Sequence, residues 1–299
     1  MVKLLMRIIK RTKGKSQYFY LQHSFRRADK VITKEKYLGT DIPDNTEDKM
    51  REFIQSINSE LFQKLDTIKA NFQKEWKSLP ESAKQRELIE IAIAFTYNTN
   101  AIEGSTITLH EVREIVENRI APNKPMNDVR EAEQHSKVFL SMLNNQENYS
   151  KENNNSKEIE EKTLFDWHNQ MFSETKSDIA GKYREYLVRV GDYVAPDWQD
   201  VHKLMKSLFK FIAQSASMNP VERSARAHYQ IEKIHPFCDG NGRIGRLLMN
   251  HMLWHAEYPM LIIEYKKRKS YYRAFKKDED GFVQYFLKRY LSVHERRLK

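Results

Sequence analysis

One stretch constrains this chain more than any other: Ile234-His235-Pro236-Phe237-Cys238-Asp239-Gly240-Asn241-Gly242-Arg243-Ile244-Gly245-Arg246. An apolar run begins straight after it, with Leu247, Leu248, Met249, Met252, Leu253 and Trp254. The order predicts a base, then a tight anion-binding loop, then the N-terminus of a buried helix. Gly240 and Gly242 free the backbone and let a ligand approach. Successive N–H groups can then form a nest for an anion, and the helix adds its free N–H groups and the positive end of its dipole. Arg243 and Arg246 lie three apart, on one helix face, and the guanidinium fork suits phosphate oxygens. Asp239 carries the wrong charge for a bare phosphate, but it can hold Mg²⁺ shared with phosphate oxygens. His235 suits a general base near neutrality. Singly, each residue has a plainer structural reading as a turn, a pre-proline residue or a solvated charge. Their joint spacing argues for a site.

His235 to Arg246 matches in full the His-Pro-Phe-x-Asp/Glu-Gly-Asn-Gly-Arg-x-x-Arg signature of Fic-domain proteins, and the chain resembles that family over roughly residues 90–299. The resemblance implies a mainly α Fic-fold helical bundle with a small β-hairpin flap. It also implies a protein adenylyltransferase (AMPylator), which uses ATP and Mg²⁺ on a protein hydroxyl. By that resemblance His235 is the catalytic base and Asp239 the metal ligand. Phe237, Asp239, Gly240, Asn241, Gly242, Arg243 and Arg246 belong to the ATP site.

A second stretch bears on the first. Leu88, Ile91, Ala92, Phe95, Thr99 and Ile102 follow a helical period that stops at Gly104. Thr99 and Glu103 share a face, and a glutamate near the negative end of the dipole calls for a cation. Thr99-Asn100-Ala101-Ile102-Glu103-Gly104 also matches the Fic inhibitory motif, Ser/Thr-x-x-x-Glu-Gly/Asn. The resemblance implies that Glu103 pairs with Arg246 and obstructs γ-phosphate placement, with Thr99, Glu103 and Gly104 as the inhibitory residues. The motif precedes the signature, as in the subgroup whose inhibitory helix (here 82–104) comes before the catalytic core. Ser105 departs from the Asn of many relatives.

Gly181 to Gly191, followed by Val194-Ala195-Pro196, reads as an extended patch in a helical body. Such an edge can bind another chain by strand addition. Its Gly-x-Tyr-Arg start resembles the Fic flap, which implies Val188, Arg189, Val190 and Gly191 at the ATP site and a protein substrate docked on 181–196. Tyr265 to Phe275 mixes basic and aromatic residues, a pattern compatible with nucleic acid. The resemblance instead puts Tyr271 and Tyr272 around the adenine. Glu279 stands about where some relatives place an adenine-facing Asn.

The reading divides the chain into a basic arm with a β-hairpin (1–44), a long amphipathic helix (45–80) and a Fic domain (81–299). Residues 1–40 hold eleven of the 51 Lys and Arg but only two of the 41 acids, so most of the net charge of +10 lies there. An attraction to nucleic acid or another anionic partner belongs to this arm. Ser16–Phe25 and Lys30–Leu38 predict the hairpin. Met50 to Trp76 form one apolar stripe from Thr46, ended by Pro80 and long enough to serve as a homodimer face. Helix starts are expected at Ser82/Gln85, Thr108/Glu111 and Asn219-Pro220-Val221-Glu222, with helices over Asn127–Leu143, Thr163–Phe172 and Gly281–Val293. Asn144–Ser156 reads as a mobile loop. Cys238 is the sole cysteine, which fits a reducing compartment. No apolar run approaches the ~20 residues of a membrane span, and the first residues lack a signal peptide's pattern. A cytoplasmic protein is expected. The other histidines show no zinc-ligand spacing.

The expected function is an autoinhibited AMPylator acting on a Ser, Thr or Tyr hydroxyl. Three alternatives stay open: removal of AMP at the same site, transfer of another phosphate-containing group, and a nucleic-acid-binding regulator with a silent Fic site.

Overall fold

The computed structural model describes residues 7–27, 30–144 and 159–299. The loop expected over Asn144–Ser156 lies outside the described residues but for Asn144, which ends a helix. The chain divides into two compact units, 1–66 and 67–299, and the division falls within the long helix rather than at either of its ends.

In the first unit, β1 (Arg7–Lys13), β2 (Ser16–Arg27) and β3 (Lys30–Gly39) form an antiparallel sheet in the order β1-β2-β3. The expected hairpin is β2–β3, and β1 is an addition. Its sequence, Arg-Ile-Ile-Lys-Arg-Thr-Lys, has no strict apolar and polar alternation, and its residues are nearly all exposed, so no apolar face marked it. Helix α1 (Thr46–Ser78) starts with Thr46 bonding the carbonyl of Pro43 and with Glu47 and Asp48 in its first turn, complementing the dipole. Its first turns cover one sheet face: Met50, Phe53 and Ile57 meet Phe19, Leu21 and Leu38.

The second unit is helical. It contains α2 (Glu81–Ile102), α3 (Leu109–Arg113), α4 (Met126–Asn144), α5 (Glu161–Phe172), α6 (Val201–Gln214), α7 (Pro220–Ile234), α8 (Asn241–His255), α9 (Arg268–Phe275) and α10 (Glu279–Val293). Between α5 and α6, β4 (Arg189–Val190) and β5 (Tyr193–Val194) make a small hairpin. Local chemistry sets many of the boundaries. Thr108 and Glu111 form a reciprocal capping box at α3. A π-helical turn, Glu114–Asn118, follows α3 and ends at Arg119 in the left-handed region. Asn219 caps α7 by accepting from Val221 N at 3.0 Å, with Pro220 at the first helical position. The box expected at Ser82/Gln85 does not form. Pro80, extended at φ −67° and ψ 156°, is the N-cap, so α2 begins at Glu81, and Gln85 turns back to the Glu81 side chain.

Helix α8 is the buried centre. Between Asn241 and Trp254 every residue but Gly242 is buried. Leu247, Leu248 and Leu253 have no exposed surface, and each contributes about 1.5–3 kcal/mol by leaving water. Helices α2, α4, α5, α6 and α7 supply the facing apolar residues, among them Phe95, Phe139, Phe172, Leu208 and Ile231. The last turns of α1 pack Phe72 and Trp76 on Trp254, with the tryptophan rings edge to face at 5.4 Å. Asn250 ties α8 to the following segment by accepting from Leu261 N and donating to Leu261 O. Among the described residues no helix is long and apolar enough to cross a membrane.

Candidate active site

Helix α7 ends at His235, whose φ of 52° and ψ of 59° put it in the left-handed region. A non-glycine residue adopts that conformation at a cost. Here it stops the helix, Pro236 prevents its continuation, and the imidazole leaves the helix end half-buried. Burial holds the His235 pKa below its ordinary 6.5, with the nearby Glu232 carbonyl opposing the shift. The ring is therefore neutral at pH 7, the form a general base requires.

Phe237 to Gly240 turn the chain from α7 into α8. The side-chain amide of Asn241 closes this loop: it accepts from Phe237 N and donates to Phe237 O, both at 2.8 Å. Phe237 is wholly buried, stacked on His168 at 4.1 Å. These two side chains shape the loop, and with both main-chain groups of Phe237 taken by Asn241 neither residue offers its side chain to a ligand. Gly240 has φ +76°, and a Cβ there would collide with the Phe172 ring, so both conformation and space demand glycine. Gly242 differs. It is helical, and what it provides is space: a Cβ would meet the Glu103 carboxylate. Glu103 thus lies against the first turn of α8, where the helix presents free N–H groups to an anion.

Glu103 is the C-cap of α2, one residue past its last helical residue, and Gly104 follows at φ +97°. Its Oε1 accepts from Arg246 Nη2 at 2.5 Å. Arg246 is almost wholly buried and donates from Nε to Thr99 Oγ1 at 2.7 Å, with longer contacts to Thr99 O and Tyr271 Oη. Burial alone would lower the Arg246 pKa. Glu103, together with Tyr271 and Glu232, outweighs it and keeps the guanidinium firmly protonated. A second carboxyl, Glu232, lies in the last turn of α7, three residues before His235. Burial pushes its pKa up to about 7, against the pull of Arg246.

Spacing in the sequence gave no sign of the charges around Asp239. Lys176 Nζ sits 2.7 Å from both Asp239 Oδ2 and Glu131 Oε1. Arg243 also pairs with Glu131, and its guanidinium lies 4.5 Å from the centre of the Phe172 ring. Burial would raise the Asp239 and Glu131 pKa values, but Arg243 and Lys176 prevail and hold both carboxyls ionised. The signature arginines are thus claimed by different acids, Arg243 by Glu131 and Arg246 by Glu103. A cleft of about 360 Å³ opens beside them, lined by Glu103, Asp128, Glu131, Lys176, Asp239 and Arg243. Among the described residues no three His, Cys, Asp or Glu side chains converge as a metal site. A lone carboxylate with half-exposed oxygens, such as Asp239, still fits Mg²⁺, which takes one or two carboxylates plus substrate phosphates.

The model of the Fic/DOC family matches residues 158–253, the stretch that runs from before α5 through the loop and most of α8. The chain carries a Fic domain. It is 29% identical over 279 residues to the protein adenylyltransferase Fic of Drosophila ananassae, covering 90% of this chain and 54% of that protein. It is 31% identical over 242 residues to the protein of the same name from Nematostella vectensis, covering 79% of this chain and 54% of that protein. The chain thus spans about half the length of the curated relatives it matches. Among solved structures it resembles Fic-1 (aa134–508) from C. elegans, with a TM-score of 0.68, 25% identity and coverage of 87% of this chain and 78% of that one. It also shares its fold with a Fic domain containing signaling protein from Bacteroides thetaiotaomicron, with a TM-score of 0.65, 22% identity and coverage of 79% and 96%.

The Fic domain's flap hangs on Arg184, the arginine of the Gly-x-Tyr-Arg start, whose role as a clamp the spacing did not show. This buried arginine donates to four main-chain carbonyls: His235 O at 2.8 Å, Tyr186 O at 2.8 Å, Pro196 O at 2.6 Å and Ile234 O at 3.4 Å. It ties both ends of the flap to the loop that bears His235. His168 adds a second tie. Its Nδ1 accepts from Gly181 N at 2.9 Å, which leaves Nε2 as the donor to Asp239 O at 3.1 Å. Burial pushes its pKa down to about 4, so this tautomer is stable at neutral pH. Arg184→Met should destabilise the fold by about 3 kcal/mol or more, because several buried carbonyls lose their donor at ~1–3 kcal/mol each. Denaturant unfolding measures it, and a loss below about 1 kcal/mol would contradict the clamp.

The remaining predicted residues separate. Val188 O accepts from Ala195 N, and Arg189 and Val190 pair with β5 up to Gly191 at the hairpin turn. Tyr193 Oη fastens this hairpin to Lys233 O at 2.7 Å. Tyr271 is buried, its hydroxyl 2.7 Å from His228 Nε2, so it backs Arg246 rather than lying open. Tyr272 is half exposed and donates to Ile102 O at the end of α2. Glu279 is held by Arg226, together with Asp280 and Glu222.

Proposed function

We propose that this chain is a protein adenylyltransferase whose ATP site is obstructed by its own Glu103. The observation that carries the reading is the placement of Glu103 on Arg246 at the N-terminus of α8, eleven positions beyond the neutral His235. A carboxylate at that point is the anion the nest would otherwise take from a nucleotide. The curated relatives are named protein adenylyltransferases, which supports the same chemistry here.

In the proposed reaction His235 accepts the proton of a target Ser, Thr or Tyr hydroxyl. The hydroxyl oxygen bonds to the α-phosphorus of ATP, the bond from that phosphorus to the bridging oxygen breaks, and pyrophosphate leaves. The α8 N-terminus and Arg243 would hold the α- and β-phosphates, and Arg246, freed of Glu103, the γ-phosphate. Mg²⁺ held by Asp239 would supply charge neutralisation on the phosphates. Positioning and fixed charge then account for most of the rate beyond the proton transfer. The flap exposes Tyr186, Leu187, Val190 and Val194, apolar side chains suited to the target segment. The lone cysteine, half-buried in the loop, fits a cytoplasmic setting.

This reading gives Lys176 a definite effect. Its ammonium stands on Asp239 where the metal would bind. In the Glu103→Gly background, Lys176→Met should therefore lower the Mg²⁺ concentration for half-maximal transfer several-fold. A magnesium titration of AMP incorporation tests it, and an unchanged or raised requirement would show that the lysine does not compete for that seat. The reading as a whole is tested by the mass gained on incubation with ATP.

A further inference from the structure

The sheet of the first unit has two unlike faces. One is covered by α1, with Leu21, His23 and Leu38 buried. On the other, the strand register places Arg7, Ile9, Arg11 and Lys13 of β1 beside Gln22, Tyr20, Tyr18 and Ser16 of β2. Across β2 on the same face, Tyr20 pairs with Tyr37, Gln22 with Glu35 and Ser24 with Thr33 of β3. Three tyrosine rings therefore gather at the middle of the sheet. Tyr37 lies 5.2 Å from Tyr20 and 6.3 Å from Tyr18, and it is 50% exposed. The Arg11 guanidinium is 5.1 Å from the Tyr20 ring and bonds Glu35 at 2.6 Å. Glu35 is the only acid among the described residues of this face, and Lys15 extends its basic edge at the β1–β2 turn.

We propose that this face binds single-stranded nucleic acid, with bases stacked on the tyrosines and phosphates held by Arg7, Arg11, Lys13 and Lys15. Flat aromatic rings interleaved with cations are what an unpaired strand recognises: every base has a π-face to stack, and every linkage carries a negative charge. A duplex hides its bases from a flat sheet, so the tyrosines would go unused on it. An anionic membrane would use the cations but not order the rings. The charge of the chain supports the placement, since most of its excess is confined to residues 1–40. The proposal is independent of the adenylyl-transfer reading.

The test uses the full chain and fluorescence anisotropy with a labelled oligo-dT strand, an oligo-U strand and a duplex of equal length. Single strands should bind in preference to the duplex. Affinity should fall roughly 50-fold between about 50 and 200 mM salt if the four phosphates are neutralised. Tyr37→Ala should weaken binding roughly 5- to 150-fold, the range for one stacked base, while Tyr37→Phe, which keeps the ring, should bind like the wild type. Arg7→Gln/Lys13→Gln should lower the slope of log affinity against log salt by about 1.4. The relative affinity of the two single strands identifies DNA or RNA as the natural ligand. The proposal fails if the duplex binds as tightly as the single strands, or if Tyr37→Ala binds as the wild type does. It also fails if phosphatidylserine vesicles bind while both oligonucleotides do not.

Discussion

Replacing Glu103 by glycine is expected to raise auto-modification by roughly 5- to 150-fold, the span produced by a coupling of about 1–3 kcal/mol. The geometry makes this substitution unusually clean. Glu103 is a C-cap at φ −86° and ψ 5°, outside the helix interior, so glycine there costs α2 little. Arg246 keeps its bonds to Thr99 and its contact with Tyr271, so it stays in place when the carboxylate leaves. What changes is the space over Gly242 and the availability of one guanidinium edge. Removing one partner of a pair with one side almost wholly buried leaves a charge uncompensated, so the variant should also melt lower without nucleotide and regain stability with ATP. Incorporation from ATP labelled at the α-phosphate measures the rate. An unchanged rate would show that Glu103 does not restrain the site.

His235→Ala, made in the Glu103→Gly background, should lower transfer by about 10²–10⁴-fold, the usual contribution of a placed general base. ATP binding should stay nearly unchanged, because phosphate contacts are assigned to α8 and not to the imidazole. The pH dependence follows from the same residue. Its folded pKa is depressed by burial, so the neutral base persists below the ordinary value of 6.5. Removing Glu103, whose charge favours the protonated ring, depresses it further. In Glu103→Gly, kcat/KM should therefore be flat through neutrality and fall on the acid side with a midpoint below 6.5. A midpoint above 7 would assign the base to another group, and the half-buried Glu232, with its pKa raised to about 7, would be the first to examine.

Much of the fold was legible because its signals are local. The threefold and fourfold spacing from Met50 to Trp76, the Thr108–Glu111 box and the Asn219–Pro220 start each depend on residues within a turn or two of one another. So does the loop from His235 to Gly242, where a left-handed residue, a proline and Gly240 fix the path. Strand β1 escaped notice as a strand because neither of its faces is buried enough to be apolar. The backbone freedom read for Gly242 is not used, because its need for glycine comes from the space taken by Glu103, far away in the chain, and not from its own dihedral angles. Lys176, Glu131, Arg184 and His168 were illegible for the same reason. Each acts on the signature loop from elements distant in sequence, and nothing within its own segment shows that contact, although Arg184 closes the Gly-x-Tyr-Arg start of the flap. The two tyrosines adjacent in sequence could not be told apart either, since only the packing of α9 decides that Tyr271 is buried behind Arg246 while Tyr272 faces the end of α2.

The central claim is that this site moves AMP and that Glu103 holds it back. Intact-mass analysis of the wild type, Glu103→Gly and Glu103→Gly/His235→Ala after incubation with ATP and Mg²⁺ tests both parts at once. The account predicts added adenylyl mass on Glu103→Gly, little on the wild type and none on the double variant. No added mass on Glu103→Gly, or equal mass with and without His235, would contradict it.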